Sequence, residues 1–338
     1  MKTVTVSVII VNWNGSRLLG PCLDSLRAQR TLPVEVIVVD NGSTDESLAM
    51  LRAMRWPLLK IVALDRNTGF AGGNNAGLAV ARGEVAALLN NDTVVDPCWI
   101  AEAAPLFRDE TVGMVACKTL CMDDAARIDK TGHLIYPDGL NRGKGTGMAD
   151  GPAFDTVAEA LWPDGGGGFY RLSMLREIGF LDEDFFLYGE DADLGMRARW
   201  AGYRCLFQPA SRLFHHRSAS LGRFSPLKAY YVERNRIWVL VKNFPVSYII
   251  LSPLYSMLRY MFNLWSLLSG RGAAAAFGKS GSSRSLLGIL LRALWHGWLG
   301  APKMFSKRKS YPRRIKTAAM KRILKTYTIS VRELTLID

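Results

Sequence analysis

The chain has 338 residues, with 43 Lys and Arg against 30 Asp and Glu, and this length predicts a large core and two regions. Its charge is uneven: residues 1–220 carry 22 basic and 27 acidic side chains, a net of −5, whereas residues 221–338 carry 21 and 3, a net of +18. A basic segment rich in Leu, Trp and Tyr indicates an anionic membrane surface or nucleic acid. Because apolar runs interleave with the basic residues, we expect the membrane and exclude nucleic acid as a partner.

Cysteine usage and the start of the chain predict a cytoplasmic location. The five cysteines form no CxxC pair, which is typical of reduced thiols. The first apolar run, residues 4–11, is short and has no small-residue cleavage site, so it predicts a first strand rather than a targeting signal.

Strand and helix patterns alternate through the first half of the chain. Continuous apolar runs predict buried strands at residues 6–11, 34–39, 58–64 and 85–89. Helices are predicted between them at residues 17–30, 45–55 and up to Arg82, and another near Pro97. This alternation predicts a mostly parallel sheet flanked by helices, an α/β fold.

The second half is less regular. Residues 121–164 are rich in Gly, Asp and Pro and predict an inserted loop region over one end of the sheet. A short helix is expected from about residue 172, and another over residues 190–201, stopped by Gly202.

Acidic residues follow two of the predicted strands. The fourth strand ends in Asn90-Asn91-Asp92 and the second in Asp40, and ligands of open α/β sheets bind at that edge. A carboxylate there can hold a divalent cation, although Asn and Asp also simply open turns. Asp40, with the exposed amides after it, suits a nucleobase or ribose.

A glycine-rich loop is predicted over residues 67–73, in the sequence NTGFAGG. Its glycines let the backbone approach a ligand closely. The loop lacks the GxGxxG spacing and the Walker lysine, which excludes a dinucleotide-binding fold and a P-loop.

Further candidates for chemistry lie in the second half. Glu190 and Asp191 follow the aromatic run FFLY, and an aromatic approach can raise a carboxylate's pKa toward that of a general base. Acids at a helix start are also favoured by the helix dipole alone. His215 and His216 are either polar core residues or metal ligands.

Several motifs occur in an order that resembles glycosyltransferase family 2, most closely its bacterial rhamnosyltransferase-type branch, over about residues 4–240. They are VSVIIVNWNG, VVDNGSTD, NTGFAGGNNAG, LLNNDTVVDP, GGFYRLSMLREIGFLDEDFFLYGEDADLGMRARWAGY and FHHRSAS.

The resemblance implies a GT-A fold, a nucleoside-diphosphate sugar donor such as a dTDP- or UDP-sugar, Mg²⁺ or Mn²⁺, and inversion at the anomeric carbon. Asp92 would bind the metal, with His215 as a further ligand and His216 as its alternative. Asp191, beside Glu190, would be the base that deprotonates the acceptor. Residues that would contact the donor nucleotide are Asn12, Asp40, Asn67, Gly69, Asn74 and Asn91. Asn90 is neutral where the family's DxD motif begins with an acid, so the metal would depend more on the donor diphosphate and a histidine.

The C-terminal region combines apolar helices with basic residues. Residues 243–258 are uncharged but too short for a clean membrane span, which needs roughly 20 apolar residues. Polar residues recur at helical spacing along this apolar run and its continuation, which predicts a helix with a narrow polar stripe. A second apolar helix is predicted at residues 286–299. The stripe comprises Ser252, Ser256, Arg259, Asn263 and Ser266. We therefore predict a catalytic domain at 1–240 and a membrane-associating amphipathic helical region with a basic tail at 241–338; a soluble helical subdomain packed on the sheet is the alternative.

The resemblance, together with the basic and apolar C-terminal region, thus implies an inverting, metal-dependent glycosyltransferase, such as a rhamnosyltransferase, that lies on the inner face of the cell membrane. It would transfer a sugar to a glycan or lipid-linked acceptor in cell-surface polysaccharide synthesis. A sugar-phosphate nucleotidyltransferase would need a basic triphosphate loop after the first strand, where only Arg17 is basic. A catalytically dead membrane scaffold is the second alternative, to which Asn90 gives weight.

Overall fold

A computed structural model describes residues 3–216, 225–270, 272 and 283–336. The four strands predicted in the first half are present, and eight more follow. The strands are β1 (Val6–Asn12), β2 (Glu35–Asn41), β3 (Leu59–Leu64), β4 (Val85–Asn90), β5 (Thr93–Val95), β6 (Val112–Cys121), β7 (Ile128–Lys130), β8 (His133–Ile135), β9 (Asn141–Gly143), β10 (Ala158–Glu159), β11 (Phe169–Arg171) and β12 (Arg204–His215).

The central sheet is mostly parallel, as predicted. Its strand order is β10-β12-β6-β11-β4-β1-β2-β3, and β5 and β7 extend it by pairing with β12 and β6. Strand β1 pairs in parallel with β2 and β4, and β6 pairs in parallel with β12. The short β11 runs antiparallel between β4 and β6. Strands β8 and β9 form a separate antiparallel pair.

Helices cover both faces of this sheet. They are α1 (Ser16–Arg27), α2 (Ser47–Ala53), α3 (Gly69–Val80), α4 (Trp99–Ala103), α5 (Leu172–Ile178), α6 (Glu190–Trp200), α7 (Pro226–Asn243), α8 (Val246–Ser269), α9 (Ser283–Leu299), α10 (Ala301–Ser306), α11 (Thr317–Thr326) and α12 (Val331–Leu336). The buried apolar side chains form two main clusters. One contains Leu23 of α1 and Trp99 of α4, and the other contains Leu78 of α3, Leu194 of α6 and Leu240 of α7. The central strands are therefore buried on both sides, which explains their continuous apolar runs.

Two predictions about loops were wrong. Helix α3 begins at Gly69, inside the predicted loop 67–73. Tertiary contacts satisfy its first turn: Phe70 N donates to Phe186 O at 2.8 Å, and Thr68 N donates to the Asn41 side chain at 2.9 Å. Residues 121–164, predicted as loop, contribute the four short strands β7, β8, β9 and β10.

The helix expected near Pro97 is only the short α4, continued by a 3₁₀ turn at Ala104–Arg108.

The C-terminal helices pack on the α/β part through buried polar contacts. Lys242 of α7 lies 2.9 Å from Asp193 and 2.7 Å from Asp182, and the Trp200 indole donates to Asn243 O at 2.6 Å. Tyr311 and Met320 join the same apolar cluster as α3 and α6. Among the described helices, none combines the length and the hydropathy needed to cross a bilayer.

Helix α8 turns its polar stripe inward and its apolar residues outward. Ser252, Arg259 and Ser266 are buried, whereas Ile250 is 71% and Leu268 is 80% exposed. Arg259 donates to Asp138 at 2.7 Å and to Glu233 at 3.0 Å, so the stripe is the face that packs on the protein. Met257, Met261 and Leu264 of α8 and Trp298 of α9 line one groove. We call the exposed apolar residues of these two helices the apolar face, which comprises Ile250, Leu251, Leu254, Met257, Leu258, Met261, Leu264, Trp265, Leu267, Leu268, Leu287, Leu291, Trp295, Trp298 and Leu299.

All five cysteines fall in the described ranges and are free, and all but the half-buried Cys98 are buried. Of the motif FHHRSAS, only its first three residues are described; residues 217–220 lie outside the described ranges.

Candidate active site

A cleft of about 630 Å³ opens at the carboxyl ends of β1, β2 and β4. Parallel strands bring their ends to one edge of the sheet, and this is where such folds bind ligands. Seven of the residues predicted from the sequence line this cleft: Asn67, Gly69, Asn91, Asp92, Glu190, Asp191 and His215.

The other predicted residues lie outside the cleft lining. Asn12 lies behind Asn91, whose side-chain amide donates to it at 2.7 Å. Asp40 is buried at the end of β2 and accepts from Ser43 N at 3.3 Å. Asn74 donates to Phe70 O within α3, at 2.9 Å. His216 is half exposed and points toward the exposed Asp123, with 3.9 Å between Nδ1 and the carboxylate.

Asp92 and His215 meet across the cleft floor. His215 Nε2 lies 3.4 Å from Asp92 Oδ1, an atom that has no hydrogen-bond partner within the described ranges. On its other side, His215 Nδ1 lies 2.8 Å from Asp129 Oδ2. Burial alone would lower the pKa of His215, but the carboxylates of Asp129 and Asp92 outweigh it and raise that pKa to about 9.

The Asp92 and His215 pair has the chemistry of a divalent cation site. A buried carboxylate oxygen that has no hydrogen-bond partner among the described residues and an imidazole nitrogen face each other at a spacing that a small cation can bridge. With diphosphate oxygens added, one carboxylate oxygen and one imidazole nitrogen would suit Mn²⁺ better than Mg²⁺, which prefers oxygen ligands.

Glu190 and Asp191 begin helix α6 inside the cleft. Burial raises the pKa of Asp191 above its usual range, and the nearby Asp164 adds to this against the opposing effect of His133. Burial and the charge of Asp191 raise the pKa of Glu190 well above its usual range. A carboxylate whose pKa is raised toward neutrality can accept a proton from a hydroxyl group.

A third group of residues in the cleft was not predicted. His133 Nε2 lies 3.6 Å from Asp191 and 3.7 Å from Asp164, and Lys130 Nζ lies 3.1 Å from Asp164. His133 stacks on Trp162, and neither of its ring nitrogens has a hydrogen-bond partner within the described ranges. His133, Asp164 and Asp191 are near enough to one another to hold a cation, but the ammonium of Lys130 already neutralises Asp164.

The loop before Glu190 has a strained backbone. Phe186 has φ 64° and ψ −57° and closes a γ-turn in which Leu187 N donates to Phe185 O at 2.7 Å; Tyr188 also has a positive φ, 65°. Asn235 of α7 holds this loop by donating to Tyr188 O at 2.6 Å. Helix α7 therefore fixes the approach to the acidic pair.

Two family models match this chain. One, described as "Glycosyl transferase family 2", matches residues 7–154, and the other, "Glycosyl transferase family group 2", matches residues 86–299, more than half the chain. The chain belongs to glycosyltransferase family 2. The resemblance predicted from the motifs is confirmed, and neither the nucleotidyltransferase nor the dead scaffold is favoured.

Two relatives of this chain are named for the biosynthesis of O-antigen and of succinoglycan. It is 30% identical over 227 residues to the O-antigen biosynthesis protein RfbC of Myxococcus xanthus, covering 64% of the chain and 18% of the relative. It is 36% identical over 96 residues to the succinoglycan biosynthesis protein ExoO of Rhizobium meliloti, covering 28% of each. The chain thus spans less than a third of these two relatives. It is 29% identical to the N-acetylglucosaminyl-diphospho-decaprenol L-rhamnosyltransferase of Mycobacterium tuberculosis, covering 65% of the chain and 79% of the relative.

Solved structures confirm the GT-A fold. GalNAc-T7 with UDP, GalNAc and Mn²⁺ aligns with TM-score 0.60 and 19% identity, covering 71% of this chain and 48% of that one. The mannosyltransferase PcManGT from Pyrobaculum calidifontis, in complex with GDP-Man and Mn²⁺, aligns with TM-score 0.52 and 19% identity, covering 91% and 89%. The sequence prediction of this fold was correct.

Most of the site residues that the sequence did not predict belong to residues 121–164, and Asn41, at the end of β2, is outside them. Asp129, Lys130 and His133 lie within five positions of one another, and this local cluster of Asp, Lys and His was the available signal. Asp164 directly precedes the four glycines 165–168, two of which line the cleft.

Proposed function

We propose that this enzyme is an inverting, metal-dependent glycosyltransferase that moves a sugar from a dTDP- or UDP-sugar to a hydroxyl of a glycan or lipid-linked acceptor. The process is cell-surface polysaccharide synthesis, and rhamnose is the sugar we put first, from the similarity to the mycobacterial rhamnosyltransferase. One observation carries the proposal: the Asp92 and His215 pair and the acidic pair Glu190 and Asp191 line the same cleft.

The proposed reaction uses Asp191 as the base. The acceptor hydroxyl gives its proton to the Asp191 carboxylate while its oxygen bonds to the anomeric carbon from the face opposite the leaving group. The bond between that carbon and the diphosphate oxygen breaks, and the nucleoside diphosphate leaves. A raised pKa suits Asp191 to accept a proton near neutral pH. When bound at Asp92 and His215, Mn²⁺ or Mg²⁺ would neutralise charge on the departing diphosphate.

The donor nucleotide would lie on the β1–β2 side of the cleft. Asn67, Gly69 and Asn91 line it there, and Asn41, which the sequence did not single out, lines it too. Asn41 donates to Gly69 O at 3.0 Å, so a hydrogen bond between two lining residues holds this side of the cleft in shape. Because Asn12, Asp40 and Asn74 lie outside the cleft lining, they would support the lining residues and would not contact the donor nucleotide.

The acceptor would enter near the insert. His133 lies beside Asp191, and neither of its ring nitrogens has a hydrogen-bond partner in the described part of the chain, so it can hydrogen-bond a hydroxyl. Lys130 and Asp164 add a donor and an acceptor. We assign this side of the cleft to the acceptor because it surrounds the base.

We further propose that the apolar face of α8 and α9 lies in the inner surface of the cell membrane. Burying one exposed Leu side chain in an apolar environment is worth about 1.5–3 kcal/mol, so this face favours a lipid boundary over water. The net charge of +18 in residues 221–338 would add attraction to anionic lipids. Residues 241–338 would thus hold the cleft near a lipid-linked acceptor.

The donor proposal is tested by thermal unfolding with a panel of nucleotide sugars that includes dTDP-rhamnose, UDP-GlcNAc and GDP-mannose, each with Mn²⁺ or EDTA. A bound donor raises the melting temperature by mass action. We expect a shift with a dTDP- or UDP-sugar that requires Mn²⁺ and is lost in Asp92→Ala. The same shift in EDTA would refute metal dependence.

The membrane proposal is tested by flotation with phosphatidylglycerol-containing vesicles. The triple change Leu254→Ser, Met261→Ser and Leu268→Ser should abolish flotation. A matched triple of exposed apolar residues elsewhere provides the control and should float like the unchanged enzyme: Leu32→Ser, Met148→Ser and Val157→Ser. Equal flotation of the two triples would refute this placement of the membrane face.

A further inference from the structure

We infer that Asp129 is a positioning residue for the cation site: its carboxylate holds the His215 ring so that Nε2 faces Asp92. The inference rests on the proposed metal-dependent function and adds a residue from the insert to it. Asp129 is 3% exposed and belongs to β7, far in sequence from both partners.

A local irregularity brings Asp129 to this place. Strands β6 and β7 pair Thr119 with Lys130 and Leu120 with Ile128, so Asp129 is the extra residue of a β-bulge. Bulges re-aim a side chain and occur beside active sites. On the other side of β6, β12 pairs His215 with Cys121, which places His215 beside the end of β6.

The hydrogen bond decides which nitrogen faces the cation. His215 Nδ1 lies 2.8 Å from Asp129 Oδ2, so in the neutral ring Nδ1 carries the hydrogen and donates it to the carboxylate. Nε2 then keeps its lone pair and lies 3.4 Å from Asp92 Oδ1. Two ligand atoms on neighbouring vertices of an octahedron with bonds of about 2.1 Å are about 3 Å apart, close to this spacing.

This support matters because the strand end is poor in ligands. Asn90 replaces the first acid of the DxD pattern, so Asp92 is the carboxylate that this segment offers. A histidine ligand held in a fixed orientation by a carboxylate binds a metal more tightly than a freely rotating one. Asp129 thus compensates in part for the missing acid.

The test is the affinity of the full-length protein for Mn²⁺ at saturating UDP, followed by the electron paramagnetic resonance signal of free Mn²⁺. Asp129→Ala should weaken Mn²⁺ binding by about 10–100-fold, the usual cost of losing such a partner. Asp129→Asn, which keeps an oxygen that accepts from Nδ1 and is nearly isosteric, should lose less. The exposed Asp123→Ala is the matched control and should bind Mn²⁺ normally.

A double-mutant cycle separates positioning from a structural role. If Asp129 acts through His215, Asp129→Ala should cause no further loss in a His215→Ala background. Nitrogen-15 spectra of the four histidine rings, recorded at a pH above 9 where the His215 ring is neutral, provide a second readout, because Asp129→Ala should shift His215 alone toward a mixture of tautomers. Mn²⁺ affinity within twofold of the unchanged protein in Asp129→Ala, or fully additive losses in the cycle, would overturn the inference. If the unchanged protein bound no Mn²⁺ with UDP, metal dependence itself would fall, which is a different result.

Discussion

The strongest prediction concerns the Asp191→Asn variant. The amide has nearly the shape of the carboxylate but cannot accept a proton. We expect the turnover number to fall by about 10²–10⁴-fold, which corresponds to about 3–5 kcal/mol of lost transition-state stabilisation. The fold should be unaffected or slightly stabilised, because the change removes a negative charge that is buried near Asp164 and Glu190.

The assay measures release of nucleoside diphosphate from the donor that stabilises the protein, with water or a membrane extract as acceptor. Donor binding with Mn²⁺, measured by calorimetry, should match that of the unchanged enzyme. The rate of the unchanged enzyme should rise with pH through the raised pKa of Asp191, because the base acts only when deprotonated, and this rise should vanish in Asp191→Asn. The exposed Asp123→Asn is the control. Turnover above a tenth of the unchanged rate in Asp191→Asn would refute the role of Asp191 as base.

Three further predictions separate catalysis from stability. Glu190→Gln should lose less than tenfold in turnover, because the raised pKa of Glu190 favours the neutral acid that the amide resembles; a loss equal to that of Asp191→Asn would refute this. Arg259→Met should lower the free energy of unfolding in urea by about 3–5 kcal/mol, because it leaves Asp138 and Glu233 buried without this cation, whereas the exposed Arg322→Met should have little effect. Burial raises the pKa of Glu233, but the charges of Arg236 and Arg259 outweigh this effect and lower that pKa to about 2. The ionised form of Glu233 therefore stabilises the fold above about pH 4.5. We expect up to about 3 kcal/mol to be lost as the pH falls from there toward 2, and Glu233→Gln to remove that dependence in acid unfolding curves.

The half of the site built on strand ends could be predicted from the sequence. The continuous apolar run of β4 identifies a strand buried on both faces, and such a strand must deliver Asp92 to the sheet edge. The apolar pattern of β4 and the parallel order of the sheet both place Asp92 at this edge, so its position could be predicted without knowing any contact distant in sequence.

The insert could not be predicted, because tertiary pairing determines its structure. Strands β7 and β8 have three residues each, too few to show a period, and they form by pairing with β6 and β9. The bulge that places Asp129 next to His215 has no signature in the sequence. The start of α3 was missed for the same reason, since the distant carbonyl of Phe186 satisfies its first turn.

This division has a consequence for the proposed recognition of donor and acceptor. Predictable strand ends carry the proposed donor side, whereas His133 of β8 and Asp164, on the proposed acceptor side, lie within residues 121–164. His133 belongs to the separate pair of β8 and β9, and Asp164 belongs to no strand, so substitutions of these two side chains leave the strand pairing of the central sheet intact. The proposed acceptor side can therefore change while the proposed cation pair, Asp92 and His215, and the proposed base Asp191 stay in place. Asp129 joins the two halves: it lies on the insert, yet its hydrogen bond reaches the histidine of the cation pair. A change in the insert that moves β7 should therefore alter metal affinity as well as acceptor choice.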